Sequence, residues 1–214
     1  MSVFYFKTRL NLVEMLGIRV STVPELLQQL RQVPGSSVYH HTHRFLQQHH
    51  FLCPEPPNDF AFWITNALGL DDLGEQLASV DTIRFTKIND LRDAFCAILE
   101  KYLQRRNGVP PGCHEGEEFH FMACRTFVFA SPFHAADAAE FLRALRSISI
   151  NSIYYHIFES RLRLGRVGND FSLWFESIGN KPAADEIAKL DPYTITLEGL
   201  RKKIIAIVEK HAAN

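Results

Sequence analysis

Apolar and polar residues alternate where the chain begins: Phe4, Phe6, Leu10 and Leu12, with Thr8 between them, fall on one side of an extended segment. Period two predicts a half-buried strand. The period then lengthens. Thr22 and Glu25 have the spacing of a capping box, and Leu26, Leu27 and Leu30 follow at helical intervals, so a first helix is expected there. Pro34-Gly35 stops it. A second helix is expected after the N-capping pair Ser36-Ser37, and a third from Asn58, with Phe60 and Trp63 behind it. A short fourth helix should cover about 71–80 and a fifth about 88–105, entered through Thr86.

The succession then starts again. Phe119, Phe121 and Ala123, then Phe127 and Phe129, repeat the alternation, and Asp137 with Glu140 repeats the capping box. Phe141, Leu142 and Leu145 repeat the helical stripe, and Asn151-Ser152, Asn169 and Thr196 repeat the later helix starts, with helices expected over about 182–190 and 197–212. Shifted by 115, residues 4–41 lie on 119–156 without a gap, and 10 of the 38 pairs are identical. Ordinary composition allows about two or three. Asn58-Asp59-Phe60 and Trp63 lie on Asn169-Asp170-Phe171 and Trp174, and Ala97–Lys101 lies on Ala206–Lys210.

The expected fold is therefore mainly α, of the α+β class: a tandem duplication of a strand-plus-five-helix unit. The first repeat unit covers 1–104 and the second 119–214, joined by a linker over 105–118 whose Pro110-Pro111-Gly112 cannot continue a helix. One strand per unit cannot stand alone, so the strands of the two halves should pair, and the halves should pack as one body about an approximate two-fold axis.

The chain has 214 residues, 46% apolar and 22% charged, enough to bury a core without disulfide staples. A net charge of −1, spread along the sequence, argues against nucleic acid or anionic lipid as partner. No run of 18 apolar residues suggests a membrane span. Met1–Lys7 lacks the features of a signal peptide, and four irregularly spaced cysteines suit reduced thiols, so a cytoplasmic location is expected.

The doubled signature Ser-x-Tyr-x-His … Asn-Asp-Phe-x-x-Trp (Ser37, Tyr39, His41, Asn58, Asp59, Phe60, Trp63, and again Ser152, Tyr154, His156, Asn169, Asp170, Phe171, Trp174) resembles that of a bacterial family of uncharacterised proteins, a domain of unknown function. The resemblance covers nearly the whole chain. It implies no established activity or catalytic residues, and a link to sugar or compatible-solute metabolism, because relatives are encoded near enzymes of trehalose or glycosyl-glycerate metabolism.

Candidate chemistry concentrates on the second helix. Five of the ten histidines lie within Tyr39–His50. On a helix His40, His43 and His50 share a face and could chelate a transition metal, but no carboxylate stands among them and the zinc-protease pattern is absent. The alternatives are a helix of hydrogen-bonded histidines or a polar ligand pocket that includes His40, His43 and Arg44. Tyr39 with His41, and Tyr154 with His156, occur in both halves. They either satisfy buried backbone groups or line a shared pocket in which an imidazole acts as a base. Asn58-Asp59 and Asn169-Asp170 read as helix caps. Cys113, His114, His120 and Cys124 match no standard zinc spacing.

His43 stands where the second half has Phe158, and Thr42 where it has Ile157. A buried imidazole needs a polar partner, so a ligand, ion, water or partner residue should meet His43. The reading that follows is a non-catalytic small-ligand-binding or regulatory protein. Its candidate binding residues are Tyr39, His40, His41, His43, Arg44, Tyr154 and His156. Its partner is a small polar ligand or a protein, and a transition metal is the less favoured cofactor. An enzyme using the histidine-rich helix is the first alternative, and a structural protein-interaction module the second.

Overall fold

The structure is a computed structural model that describes residues 2–48, 58–160, 162, 165, 168–190 and 195–212, without the side chains of Ile83, Ala212 and the segment 44–48. Two long strands, β1 (Phe4–Val20) and β2 (Phe119–Ala135), form a two-stranded antiparallel sheet. Among the described residues five α-helices follow β1: α1 (Val23–Gln32), α2 (Gly35–Gln48), α3 (Asp59–Asn66), α4 (Asp71–Ala78) and, after a 3-10 turn (Thr82–Arg84), α5 (Ile88–Arg105). After β2 come α6 (Ala138–Ser147), α7 (Ile150–Tyr154), a π-helical turn (Tyr155–Glu159), α8 (Asp170–Ser177), α9 (Lys181–Ala188) and α10 (Leu197–Ala212). Between Arg105 and Phe119 the chain is loop apart from one isolated bridge, Thr22 with Gly112.

The local signals act much as expected. The Thr22 hydroxyl accepts from the Glu25 N–H and the Asp137 carboxylate from that of Glu140. The returning glutamate bond goes one residue earlier than a capping box requires, to the N–H of Ser21 and of Ala136. Asn58 and Asn169 cap α3 and α8 as expected. Three expected caps are displaced: α2 begins at Gly35, so Ser36-Ser37 lie inside it, α7 is capped by Ser149 rather than Asn151, and α5 begins after Lys87 rather than Thr86. Each strand outruns the alternating segment that announced it. Phe127 and Phe129, expected to face inward, are half exposed, and residues 125–130 are exposed without alternation. Along these residues period two stops reporting burial.

By contacts the chain forms two compact units, one of Met1–Leu10 with Thr126–Asn214, the other of Asn11–Gln48 with Cys53–Arg125, counted over the described residues. The first will be called the C-unit and the second the N-unit. Each takes one portion of β1 and one of β2. In the N-unit, Phe119 and Phe121 from the start of β2 are buried among Phe60, Trp63, Ile64 and Phe95 of α3 and α5. In the C-unit, Phe4 and Phe6 from the start of β1 pack on Phe141 of α6 and Phe171 and Trp174 of α8. Trp63 and Trp174 are buried alike, at 6% and 5% exposure. The opening residues of each strand thus complete the core of helices that belong to the other half of the sequence.

Candidate functional site

His41 lies on α2 of the N-unit with 2% of its surface exposed, and His156 on the π-turn of the C-unit with 3%. Nε2 of His41 accepts the backbone N–H of Met122 at 2.9 Å, and Nε2 of His156 that of Lys7 at 2.8 Å. Since an amide N–H can only donate, Nε2 carries no proton in either ring. The ring proton sits on Nδ1 and is donated to a carboxylate, Asp59 at 2.8 Å and Asp170 at 2.7 Å. Trp63 adds an indole N–H to the Glu117 carbonyl at 2.7 Å, and Trp174 one to the Ser2 carbonyl at 2.8 Å. Each unit therefore grips an incoming strand with an Asp–His pair and a tryptophan. The aspartates, read from sequence only as part of the helix caps, also hold the imidazoles. The signal for this was the recurrence of Asn-Asp-Phe beside Tyr-x-His in both halves.

This arrangement does not suit general-base chemistry, because the acceptor nitrogen of each ring is already used. It does not suit a metal either. Among the described residues, the grouping whose ligand atoms lie close enough for an ion is His40, His41 and Asp59. Coordination at Nδ1 of His41 would move the ring proton to Nε2, where it would face the N–H of Met122. Cys113, His114, His120 and Cys124 form no such group among the described residues. Cys124 lies 3.8 Å from the Ser36 carbonyl.

One partner of His43 is its neighbour in the chain. The Thr42 hydroxyl donates to the Val38 carbonyl at 2.7 Å, so in its 2.8 Å contact with His43 it accepts from Nδ1. The imidazole stacks on Tyr39 with centroids 5.1 Å apart, much as Phe158 lies 5.2 Å from Tyr154. His43 thus keeps the aromatic packing of its counterpart. His40, T-shaped on His41 at 4.9 Å, is 7% exposed. The Arg44 side chain and the whole of His50 lie outside the described residues.

Tyr154 has a different neighbour. The Arg9 guanidinium, fully buried, lies 4.3 Å over its ring and meets Glu159 of the π-turn at 2.8 Å. In the sequence alignment Cys124 stands at the position of Arg9.

Two surface pockets flank these cores. One, of about 250 Å³ in the C-unit, is lined by Tyr5, Lys7, His156, Asp170, Leu173 and Trp174 with residues 2–4. Of the expected binding residues, it contains His156. Sequence reasoning missed Tyr5, Lys7 and Trp174 as pocket residues, because the strand that carries them and the helix that carries Asp170 are far apart in the chain. The other pocket, about 260 Å³ in the N-unit, is lined by Gln76, Lys101, Tyr102, Arg105 and Arg106. No helix among the described residues is long and apolar enough to cross a membrane.

Comparison with known proteins adds the following. A family model described as a family of unknown function (DUF5752) matches residues 1–209. The chain is similar to the solved structure of OrfY from Thermoproteus tenax, with 27% identity, a TM-score of 0.82, and coverage of 100% of this chain and 97% of that one. Among curated proteins, none matches.

Proposed function

The chain belongs to the family of unknown function DUF5752, and from that premise we propose that it is a non-catalytic binding protein that takes a small polyhydroxy ligand in the C-unit pocket. The observation that carries the non-catalytic half is the saturation of both imidazoles: His41 and His156 each spend donor and acceptor on an aspartate and a strand N–H. The pocket supports the rest. Its walls offer a carboxylate, an ammonium group and aromatic rings, Asp170, Lys7, Tyr5 and Trp174. These groups suit a ligand that both donates and accepts hydrogen bonds and has an apolar ring face. A volume of about 250 Å³ is below the usual 300–1,000 Å³ of drug-sized sites, and fits something of the size of a single sugar ring. Such a ligand agrees with the sugar or compatible-solute link that the family resemblance implies. Tandem duplication is part of this reading. It accounts for an Asp–His clamp, a tryptophan and an asparagine cap at matching places in each half, with only the C-unit copy kept for ligand.

The test is a thermal-shift and calorimetric screen of neutral sugars and polyols against wild type, Tyr5→Ala and Lys7→Met. Both substitutions leave the Lys7 backbone N–H, and so the clamp, in place. A ligand that raises the melting temperature of the wild type should lose at least about tenfold in affinity in each variant. Equal binding by all three proteins would remove the pocket from consideration.

The exposed Leu10, Phe127, Val128 and Phe129 of the C-unit, 46–61% accessible, favour a second reading, in which this stretch of sheet meets a protein partner.

A further inference from the structure

The N-unit pocket is best understood beside its counterpart in the C-unit. Two pairs of equivalent contacts set the alignment. Asn58 donates to the Leu77 carbonyl and Asn169 to that of Ile187, which matches Gln76 with Glu186. Arg31 pairs with Glu100 and Arg146 with Glu209, which matches Lys101 with Lys210 and Tyr102 with His211. In the C-unit the Glu186 carboxylate closes this place: it accepts from Lys210 at 2.7 Å and from His211 at 2.9 Å. Those two bonds, Lys210 first, hold its carboxyl below the ordinary carboxylate range.

In the N-unit the carboxylate is replaced by an amide. Gln76 turns its NH2 to the Asp72 carbonyl at 3.0 Å, and the lysine remains, joined by Arg105 and Arg106. Arg106 donates to the Tyr102 hydroxyl at 2.5 Å. None of the five lining residues is acidic. The nearby Glu100 is already held by Arg31. Arg105 in the last turn of α5 partly answers the helix dipole, but that end carries only about half a charge against the three cations of the pocket. The C-unit demonstrates that the same corner of the fold accepts an oxyanion group next to a helix C-terminus.

We propose that the N-unit pocket binds a phosphate group, either free phosphate or a phosphate monoester, which supplies from outside the oxyanion that Glu186 supplies internally in the C-unit. Three cations against the single charge of a carboxylate favour a dianion, and the paired donors of two guanidinium groups suit phosphate oxygens.

The experiment is calorimetric titration of the full chain with inorganic phosphate and with glycerol 3-phosphate, at fixed ionic strength set with sodium chloride. Saturable binding is expected for the wild type. Gln76→Glu, which copies the internal carboxylate of the C-unit, should weaken it at least about tenfold, as should Lys101→Gln. Gln76 and Lys101 are exposed, so the variants should melt with the wild type in the absence of ligand. A monoester that binds tenfold tighter than inorganic phosphate identifies a metabolite site, and equal affinity identifies free phosphate; either supports the proposal. No saturable binding of either probe, or Gln76→Glu binding as tightly as the wild type, overturns it.

Discussion

A neutral imidazole has one donor and one acceptor, and His41 and His156 spend both inside the fold. Truncation of His156 would take from the Lys7 N–H its acceptor and from Asp170 one of its donors, and would leave a cavity beside Phe4 and Phe171. His156→Ala should therefore cost about 2–4 kcal/mol in urea denaturation. His156→Gln, whose amide can donate and accept, should recover part of that. A loss no larger than that of an ordinary surface substitution would show that the clamp contributes little. The identity of the two histidines as special was legible in the sequence, because Tyr-x-His returns 115 residues later. Their role was not. Which backbone group an imidazole meets depends on a strand that lies 81 residues away for His41 and 149 for His156.

Elements follow the local code more closely than side-chain roles do. Capping at Thr22, Asp137, Asn58 and Asn169 and the break at Pro34 come from short-range chemistry that acts whatever the rest of the chain does. The π-turn at Tyr155–Glu159 is different. Its α-helical counterpart in α2 has His40-His41-Thr42-His43-Arg44 at matching positions, and no breaker distinguishes the two segments. In the C-unit the turn presents Glu159 to the buried guanidinium of Arg9. Removal of one member of a buried pair takes from the other charge its ion-pair partner. Glu159→Ala should therefore destabilise the protein by about 3 kcal/mol, the low end of the usual 3–5, since Glu159 reaches solvent. The double variant Arg9→Met with Glu159→Leu should restore most of the loss. If the double variant is as unstable as the single one, packing rather than unpaired charge is the cause.

At the scale of the molecule, the units built by contacts are not continuous halves of the sequence. Residues 119–125 complete the N-unit, and residues 4–10 complete the C-unit. A fragment ending at residue 104 would lack Phe119 and Phe121, which pack on Phe60, Phe119 on Trp63 as well. A fragment starting at 119 would lack Phe4 and Phe6 and leave the acceptor of His156 unused. Expressed separately, 1–104 and 119–214 should each show little cooperative thermal unfolding by circular dichroism, and co-expression should restore it. Independent cooperative melting of both fragments would show that the borrowed strands are dispensable.

By itself the sequence determined the α+β class, the order of strand and helices, most caps, and which polar residues recur, because these depend on periodicity and on bonds that span three or four residues. Only the tertiary structure decided where the strand openings pack, that Asp59 and Asp170 lock their histidines into one tautomer, and that Thr42 answers His43. It also decided that Gln76 shares a pocket with three cations where Glu186 closes the matching corner. Apart from Thr42 and His43, which are neighbours in the chain, these are side chains that no local rule relates. Their geometry is set by the burial of aromatic rings from distant segments, and that burial exists only once the chain has folded.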